Sequence, residues 1–256
     1  MKKSFFDGIV KVMELTVLIP AYNEAGRLPA TLKKVFGQLQ GNFSMGSYEV
    51  LVANDGSRDN TAAIVSELVS VYPGLRLLDY KINRGRGEVC KAAVGEAQGK
   101  YILISDADGS TDVKFIRSFF DFLERHLEVD ILTGSRDIVD AKILTPQPVL
   151  RVFFNKVFLL MAKALFGWPM HDRVNGFKMF RRDAALDIYP HQTEKSFFAE
   201  AELIFIADQR GWEVKELPIE WTDDRDSRVK PFREAWRSFW GMFRIVWRGK
   251  TGFYNK

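Results

Sequence analysis

The sequence contains one cysteine, Cys90, in 256 residues. An intramolecular disulfide framework is therefore excluded, and a reducing compartment such as the cytoplasm fits this composition. The three histidines, His126, His171 and His191, do not show the spacing of zinc ligands. Any metal bound by the chain is therefore expected to be a hard cation held by oxygen ligands.

Long apolar runs are also missing. No stretch of about 20 consecutive apolar residues occurs, so the sequence predicts no transmembrane helix. The N-terminal segment is interrupted by Asp7, Lys11 and Glu14, which is unlike a signal peptide or a membrane anchor. No Gly-x-Gly-x-x-Gly pattern follows the first predicted strand, which excludes a dinucleotide-dependent dehydrogenase.

The charge balance is basic, with a net charge of +4 and a pI of about 9.0. Such a balance favours an anionic partner: nucleic acid, anionic lipid or phosphate. No predicted strand carries the interleaved basic and aromatic residues of a nucleic-acid platform, so we expect no nucleic-acid partner.

The first half of the chain alternates short apolar segments with helix-like segments. The apolar, β-branched segments predict strands at 15–19, 48–52, 75–78, 101–105 and 130–133. This alternation predicts an α/β fold with a mostly parallel sheet and flanking helices over residues 12–135. Ligands bind at the carboxyl ends of the strands in such sheets, and the polar motifs of this chain lie there.

The second half is less regular. Its patterns predict helices at 149–168, 197–210 and 231–248 and strands at 177–180 and 212–221. The last helix carries one aromatic stripe with arginines beside it, which is typical of a helix lying in the headgroup region of a membrane. A helix packed on its own domain is the alternative. The stripe consists of Phe232, Trp236, Phe239, Trp240, Phe243 and Trp247.

The strongest chemical signal is Asp106-Ala107-Asp108, directly after a predicted buried strand. Alternate residues at a strand end can point two carboxylates at one small volume, where Mg²⁺ or Mn²⁺ would bind and leave positions for a diphosphate. Such a metal takes up the charge that develops on a departing nucleoside diphosphate. Alone, the pattern is also compatible with a turn or a helix cap.

Two further motifs lie at neighbouring strand ends. Asn54-Asp55-Gly56-Ser57 offers an acid that can accept from a base N–H or a ribose hydroxyl, although a plain turn would look the same. The segment 83–87, Asn-Arg-Gly-Arg-Gly, combines close backbone approach with cations suited to phosphate, and Lys91 and Arg136 add charge. A solvated basic loop is the alternative.

The order of these motifs resembles the family 2 glycosyltransferases of the GT-A fold. The strings that carry the resemblance are LTVLIPAYNE, NDGSRDNT, NRGRGEVCKAA, ISDADGSTD and GSR. Later segments look like those of dolichyl-phosphate β-glucosyltransferases and their polyprenyl-phosphate relatives: HDRVNGFKMFRRDAA, FFAEAELIFIA and PIEWTDDRDSRVKPF. The resemblance covers roughly residues 14–245 and implies a GT-A, Rossmann-like sheet with C-terminal amphipathic helices.

The resemblance also implies roles for individual residues. Asp108, with Asp106, would hold the metal, Mg²⁺ or Mn²⁺, and Asp172 and Glu200 would complete the catalytic set. The nucleotide-sugar would be bound by Pro20, Tyr22, Glu24, Asp55, Arg84, Arg86, Lys91 and Asp106. The acceptor phosphate would be bound by Arg136, Lys178 and Arg228. The chain departs from the usual pattern at Asn54, Lys91 and Glu200, which replace an aspartate, an arginine and an aspartate.

The implied activity is an inverting transfer of a hexose, glucose from UDP-glucose, to a polyprenyl or dolichyl phosphate. The alternatives are a GDP-mannose donor, a hydroxyl acceptor, and a non-catalytic nucleotide-sugar-binding or membrane-adaptor protein. We expect a single domain over 1–256, with a nucleotide-sugar half at 12–135, an acceptor half at 136–230 and a basic, aromatic helix at 231–256. The expected location is peripheral, on the cytoplasmic face of a membrane.

Overall fold

The computed structural model describes residues 13–145, 160–161, 163–164, 167, 172, 175–195, 199–222 and 231–255. The side chains of residues 231–239 lie outside this description. Arg228 and all but five residues of the helix predicted at 149–168 also lie outside it. The strands are β1 Leu15–Ala21, β2 Tyr48–Asp55, β3 Leu75–Tyr80, β4 Tyr101–Ile104, β5 Ile131–Ser135, β6 Lys142–Thr145, β7 Lys178–Arg181, β8 Val214–Pro218 and β9 Glu220–Thr222. The helices are α1 Leu28–Asn42, α2 Thr61–Val69, α3 Arg86–Glu96, α4 Phe115–Arg125, α5 Arg182–Ile188, α6 Ala199–Arg210 and α7 Pro231–Lys250.

Seven strands form one sheet in the order β3-β2-β1-β4-β7-β5-β8. Only β7 runs antiparallel to its two neighbours among these described strands, and the other pairings are parallel. Because β7 is reversed, its first residue lies at the edge where the parallel strands end. Lys178 accordingly stands opposite Ile104 and Thr133, the residues near the ends of β4 and β5.

Helices cover both faces of the sheet. The strands are apolar on both faces, as expected for a parallel sheet between two helical layers. Val17 and Ile19 pack with α1 and α4 on one face, whereas Leu18 packs with α3, α5 and α6 on the other. Helix α4 shows the pattern clearly, since Ile116, Phe119, Phe120 and Leu123 recur at helical spacing and are buried.

The predicted α/β architecture is confirmed. The bounds of the five strands in the first half differ from the predicted ones by at most three residues. Strand β1 continues through Pro20, which lies opposite Ala53, to Ala21.

The predicted strand at 212–221 is divided in two. Its first part pairs with β5 as far as Pro218, and its second part pairs with β6 in a separate two-stranded sheet. Ile219, fully buried between them, marks the change of partner. Strand β6 and helix α5 were not predicted from the sequence. None of the described helices combines the length and the apolarity needed to cross a membrane.

Candidate active site

The loops that follow β1, β2, β3, β4 and β5 meet at the carboxyl edge of the sheet, together with the residues that precede β7. The first two loops are hydrogen-bonded to each other. The backbone N–H of Asn23 donates to Ser57 Oγ at 2.9 Å, and the N–H of Glu24 donates to Thr61 Oγ1 at 2.8 Å. Asn23 adopts a left-handed backbone, φ 57°, and its Oδ1 accepts from the N–H of Arg58 at 2.7 Å. These contacts give the site a fixed wall.

Three predicted nucleotide-binding residues lie on this wall. Pro20 is partly buried near the end of β1, and Tyr22 is 38% exposed just beyond it. Glu24 forms a two-pronged ion pair with Arg27, with N–O distances of 2.7 and 2.6 Å. An exposed ring beside a rigid backbone can stack on a planar base. Their role in nucleotide binding stays a prediction.

Asp55 fixes the loop that leads into α3. The side chain is buried, and its two oxygens accept from the backbone N–H groups of Arg84 at 2.7 Å and Gly85 at 2.9 Å. Burial raises the pKa of Asp55, and these hydrogen bonds oppose the rise. Gly85 has φ 92°, and a Cβ there would lie 2.6 Å from the carbonyl oxygen of Lys195, so only glycine fits.

A chain of four charged side chains crosses the centre of the site. The Arg86 guanidinium donates to Asp106 Oδ1 at 2.8 Å and to Glu200 Oε1. Lys178 donates to the other oxygen of Glu200 at 2.8 Å and to the carbonyl oxygen of Asn175. Cations and carboxylates therefore alternate from Asp106 to Lys178, although Glu200 lies 114 residues from Arg86 in the sequence.

Burial and pairing set the pKa values in this chain. Burial alone would raise the pKa of Glu200, but its two cationic neighbours, Lys178 and Arg86, lower it. Burial lowers the pKa of Lys178, which has one carboxylate partner and a second cation nearby. Burial would also lower the pKa of Arg86, yet Glu200 and Asp106 raise it well above its ordinary value. Glu200 is therefore ionised at neutral pH.

The two aspartates at the end of β4 fit a divalent cation. Burial, followed by repulsion from Asp106, raises the pKa of Asp108, and a bound cation would relieve that repulsion. One Asp108 oxygen accepts from the N–H of Ser110 at 2.9 Å, which orients the carboxylate. The described residues contain no group of three or more histidine, cysteine, aspartate or glutamate side chains that could hold a metal. The metal site predicted at Asp106 and Asp108 therefore stays a prediction.

Asp172 and Arg136 form a second buried pair on the β5 side of the site. The guanidinium binds both carboxylate oxygens, at 2.6 and 2.9 Å, and the backbone N–H of Arg136 adds a bond at 3.1 Å. The guanidinium also lies over the ring of Trp221, 5.2 Å from its centroid. This arrangement fixes Arg136 beside the site. The predicted roles of Asp172 and Arg136 toward an acceptor stay predictions.

Other predicted residues lie further out or are already engaged. Arg84 is exposed and lies over the ring of Tyr80, 5.6 Å from its centroid. The Lys91 ammonium donates to the carbonyl oxygens of Pro190 at 2.8 Å and Gln192 at 3.1 Å. Lys178 has no exposed surface, so contact with an acceptor phosphate would require its pair with Glu200 to open. The roles assigned to these three cations stay predictions.

Two residues in the site were not predicted. The positive charge of Arg27 opposes the rise in the pKa of Asp108, and only its spacing from Glu24 could have signalled it. Gly176 lies against Asp106, because a Cβ there would lie 2.9 Å from the carboxylate carbon of that residue. The close approach explains why a glycine follows Asn175, but the sequence alone does not show what it approaches.

The end of α7 presents an apolar surface to solvent. Trp240, Phe243 and Trp247 are 50%, 43% and 67% exposed, whereas Met242 and Ile245 are buried against the protein. The helix is therefore anchored by one face and exposes these three aromatic residues on another. Large exposed aromatic patches with neighbouring arginines mark surfaces that bind a partner or a membrane.

Comparison with known proteins gives a consistent picture. The family model for glycosyl transferase family 2 matches residues 16–188. A dolichyl-phosphate beta-glucosyltransferase of Dictyostelium discoideum is 30% identical over 94% of this chain and 76% of its own length. The Trichomonas vaginalis enzyme of the same name, ALG5C, is 32% identical over 84% of this chain and 66% of its own length. The human one is 27% identical over 90% and 73%.

Solved structures share the fold at lower identity. Glucosyl-3-phosphoglycerate synthase from Mycobacterium tuberculosis, in complex with Mn²⁺, UDP-glucose and phosphoglyceric acid, gives a TM-score of 0.63 at 14% identity, over 91% of this chain and 80% of that one. S. aureus TarS 1–349, in complex with UDP-GlcNAc, gives 0.61 at 19% identity, over 91% and 65%. The predicted GT-A fold is thereby confirmed.

Proposed function

This chain belongs to glycosyl transferase family 2, and from that premise we propose that it transfers glucose from UDP-glucose to a polyprenyl phosphate such as dolichyl phosphate. The choice of glucose and of a polyprenyl phosphate is supported by the similarity, over 94% of the chain, to a protein named dolichyl-phosphate beta-glucosyltransferase. The whole chain, residues 1–256, would form one catalytic domain.

The charges of the site support a metal-dependent use of a nucleotide-sugar. Repulsion from Asp106 raises the pKa of Asp108, so a diphosphate would approach two neighbouring carboxylates. A divalent cation on Asp106 and Asp108 would neutralise the departing diphosphate. The Mn²⁺ and UDP-glucose in the complex of the M. tuberculosis synthase are consistent with this choice.

The reaction would be a direct displacement with inversion. An oxygen of the acceptor phosphate forms a bond to the anomeric carbon while the bond from that carbon to the diphosphate oxygen breaks. A phosphate monoester, with a second pKa of about 6, is largely dianionic at neutral pH and needs little help from a base. Asp172 and Glu200 would then orient Arg136 and Arg86. Burial raises the pKa of Cys90 to about 12, so it is not a thiolate nucleophile.

The exposed face of α7 would hold the enzyme on the cytoplasmic side of a membrane, where a lipid phosphate is found. Binding to phosphatidylcholine vesicles with and without phosphatidylglycerol tests this. Trp240→Ser with Trp247→Ser should weaken binding roughly tenfold or more, since both indoles would lie at the interface. Val71→Ser, which changes an exposed apolar residue just after the end of α2, is the control. Unchanged binding of the double variant would remove α7 as the membrane surface.

The reaction itself is tested with radiolabelled UDP-glucose and GDP-mannose, a polyprenyl phosphate, and Mg²⁺, Mn²⁺ or EDTA. We expect a lipid-linked glucose from UDP-glucose alone, lost in EDTA and in Asp108→Asn. Asp112→Asn makes the same change at an exposed aspartate on the same loop and should retain activity.

Each other outcome identifies one alternative. A lipid-linked product from GDP-mannose would assign a mannosyl donor. Metal-dependent hydrolysis of UDP-glucose without a lipid product would point to a hydroxyl acceptor. Failure to bind either nucleotide would favour the non-catalytic protein.

A further inference from the structure

A second carboxylate of α6, Glu202, does not reach the site but organises a segment beside it. Glu202 has no exposed surface. Its oxygens accept from the backbone N–H groups of Thr193 at 2.8 Å and Glu194 at 2.6 Å, from the Thr193 hydroxyl at 2.6 Å and from the Tyr254 hydroxyl at 2.7 Å. Hydrogen bonds to a buried charged group are among the stronger ones, so residues 192–195 are held firmly to α6.

The 192–195 segment packs directly on the first turn of α3. The carbonyl oxygen of Lys195 accepts from the N–H of Gly87 at 3.0 Å. A Cβ on Gly85 would lie 2.6 Å from that same oxygen, and a Cβ on Gly87 would collide with the carbonyl oxygen of Glu194. Arg86 stands between these two glycines. The backbone on each side of Arg86 is therefore packed closely against the segment, so a shift of the segment would displace Arg86.

Helix α6 thus acts on Arg86 in two ways. Glu200 binds the guanidinium directly. Glu202, two residues further along the same helix, fixes the segment against which the Arg86 backbone rests. The outer side of the segment is held by α7, where Arg244 binds both carboxylate oxygens of Glu194 at 3.1 and 3.0 Å.

We propose that Glu202 is a positioning residue for the nucleotide-sugar, acting through the 192–195 segment to set the place of Arg86. The inference rests on the proposed function, in which Arg86 faces the donor diphosphate. Its physical basis is that a displacement of about 1 Å in a group that contacts the donor can reduce activity by a large factor. Glu202 itself touches no substrate.

The test is the dissociation constant of UDP in the presence of Mn²⁺, measured by calorimetry well below the thermal midpoint. Glu202→Gln keeps the shape of the side chain but places an amide N–H₂ against N–H donors. We expect the Kd of UDP to rise about tenfold. Tyr254→Phe is the matched control, because it removes a hydrogen bond to the same carboxylate without touching the segment, and its Kd should stay within about twofold of the wild type.

A double substitution separates positioning from general loss of stability. In an Arg86→Met background, Glu202→Gln should leave the Kd of UDP within about twofold, because the group that it positions is gone. Arg244→Gln, at a half-exposed position, loosens the segment from its other side and should raise the Kd as well. This variant keeps the proposal testable if Glu202→Gln does not fold.

The two levels of inference fail in different ways. Wild-type protein that binds neither UDP nor GDP would overturn the proposed function and this inference together. Wild-type protein that binds a nucleotide, beside Glu202→Gln and Arg244→Gln variants that bind it equally well, would overturn the positioning role alone. An equal loss of affinity with and without Arg86 would also overturn it.

Discussion

Glu200→Gln is the substitution expected to disturb the folded protein most directly. The carboxylate is buried between two cations, with the Lys178 ammonium 2.8 Å from Oε2 and the Arg86 guanidinium on Oε1. Glutamine keeps the size of the side chain and removes its charge. Lys178 would then lose the carboxylate that its ammonium contacts, while Arg86 would keep its ion pair with Asp106.

The expected magnitude follows from burial. Removing one partner of a buried ion pair destabilises a protein by about 3–5 kcal/mol. At about 2–4 °C per kcal/mol for a chain of this size, the thermal midpoint should fall by roughly 6–20 °C. Urea denaturation followed by tryptophan fluorescence measures the free energy of unfolding. Glu128→Gln, the same change at an exposed residue, should leave the urea midpoint unchanged.

A double-mutant cycle with Lys178→Met makes the test specific to the pair. The two substitutions together should destabilise the protein less than the sum of the single changes, by more than about 1.5 kcal/mol, because the second removes the charge that the first left unpaired. A loss below about 1 kcal/mol for Glu200→Gln, or strict additivity of the two changes, would refute the reasoning.

Three further outcomes are expected. Asp108→Asn should reduce kcat for a polyprenyl phosphate acceptor more than Asp172→Asn, because a dianionic phosphate needs little base; the reverse order in a transfer assay would indicate a hydroxyl acceptor. Gly176→Ala should reduce transfer by roughly tenfold or more with an unchanged circular dichroism spectrum, because the added Cβ collides with a carboxylate of the site. The hydrogen bond from Arg210 lowers the pKa of Asp187 in the folded protein. The stabilisation from ionised Asp187 is therefore complete above the unfolded pKa of about 3.9 and is lost as pH falls through the lower folded pKa. Asp187→Asn should flatten the acid side of a plot of urea midpoint against pH, and an unaltered plot would contradict this.

The parts of the fold that follow from local pattern could be predicted from the sequence. The strand ending at Asp55 and the strand before Asp106 are short apolar segments between helical ones, and their parallel pairing brings both acids to one edge. Strand β6 could not be predicted, because four largely exposed residues become a strand only through pairing with β9. Its partner strand begins directly after Ile219, whose N–H bonds to Ser135 of β5 and whose carbonyl oxygen accepts from Lys142 of β6.

The candidate site also has parts that could be predicted from the sequence and parts that could not. Motifs at strand ends located Asp106, Asp108 and Arg86, because each lies close in sequence to the element that positions it. The partner of Arg86 could not be located, since the sequence does not show that α6 brings Glu200 to it. The buried contact between the Lys178 ammonium and Glu200 could not be predicted either, and the role of Lys178 toward an acceptor stays a prediction.

The reversed strand β7 has a consequence for the order in which the protein can assemble. Strands β3, β2, β1 and β4 are contiguous in the sheet and are all made before residue 105, so they can pair as soon as they are synthesised. Strand β5 cannot join them directly, because β7, made more than 40 residues later, must first be inserted between β4 and β5. Bringing together strands so far apart in the sequence is entropically unfavourable and slow. A nascent chain would therefore carry a formed nucleotide-side half with an open β4 edge, exposed to chaperones or to misassociation, until β7 arrives.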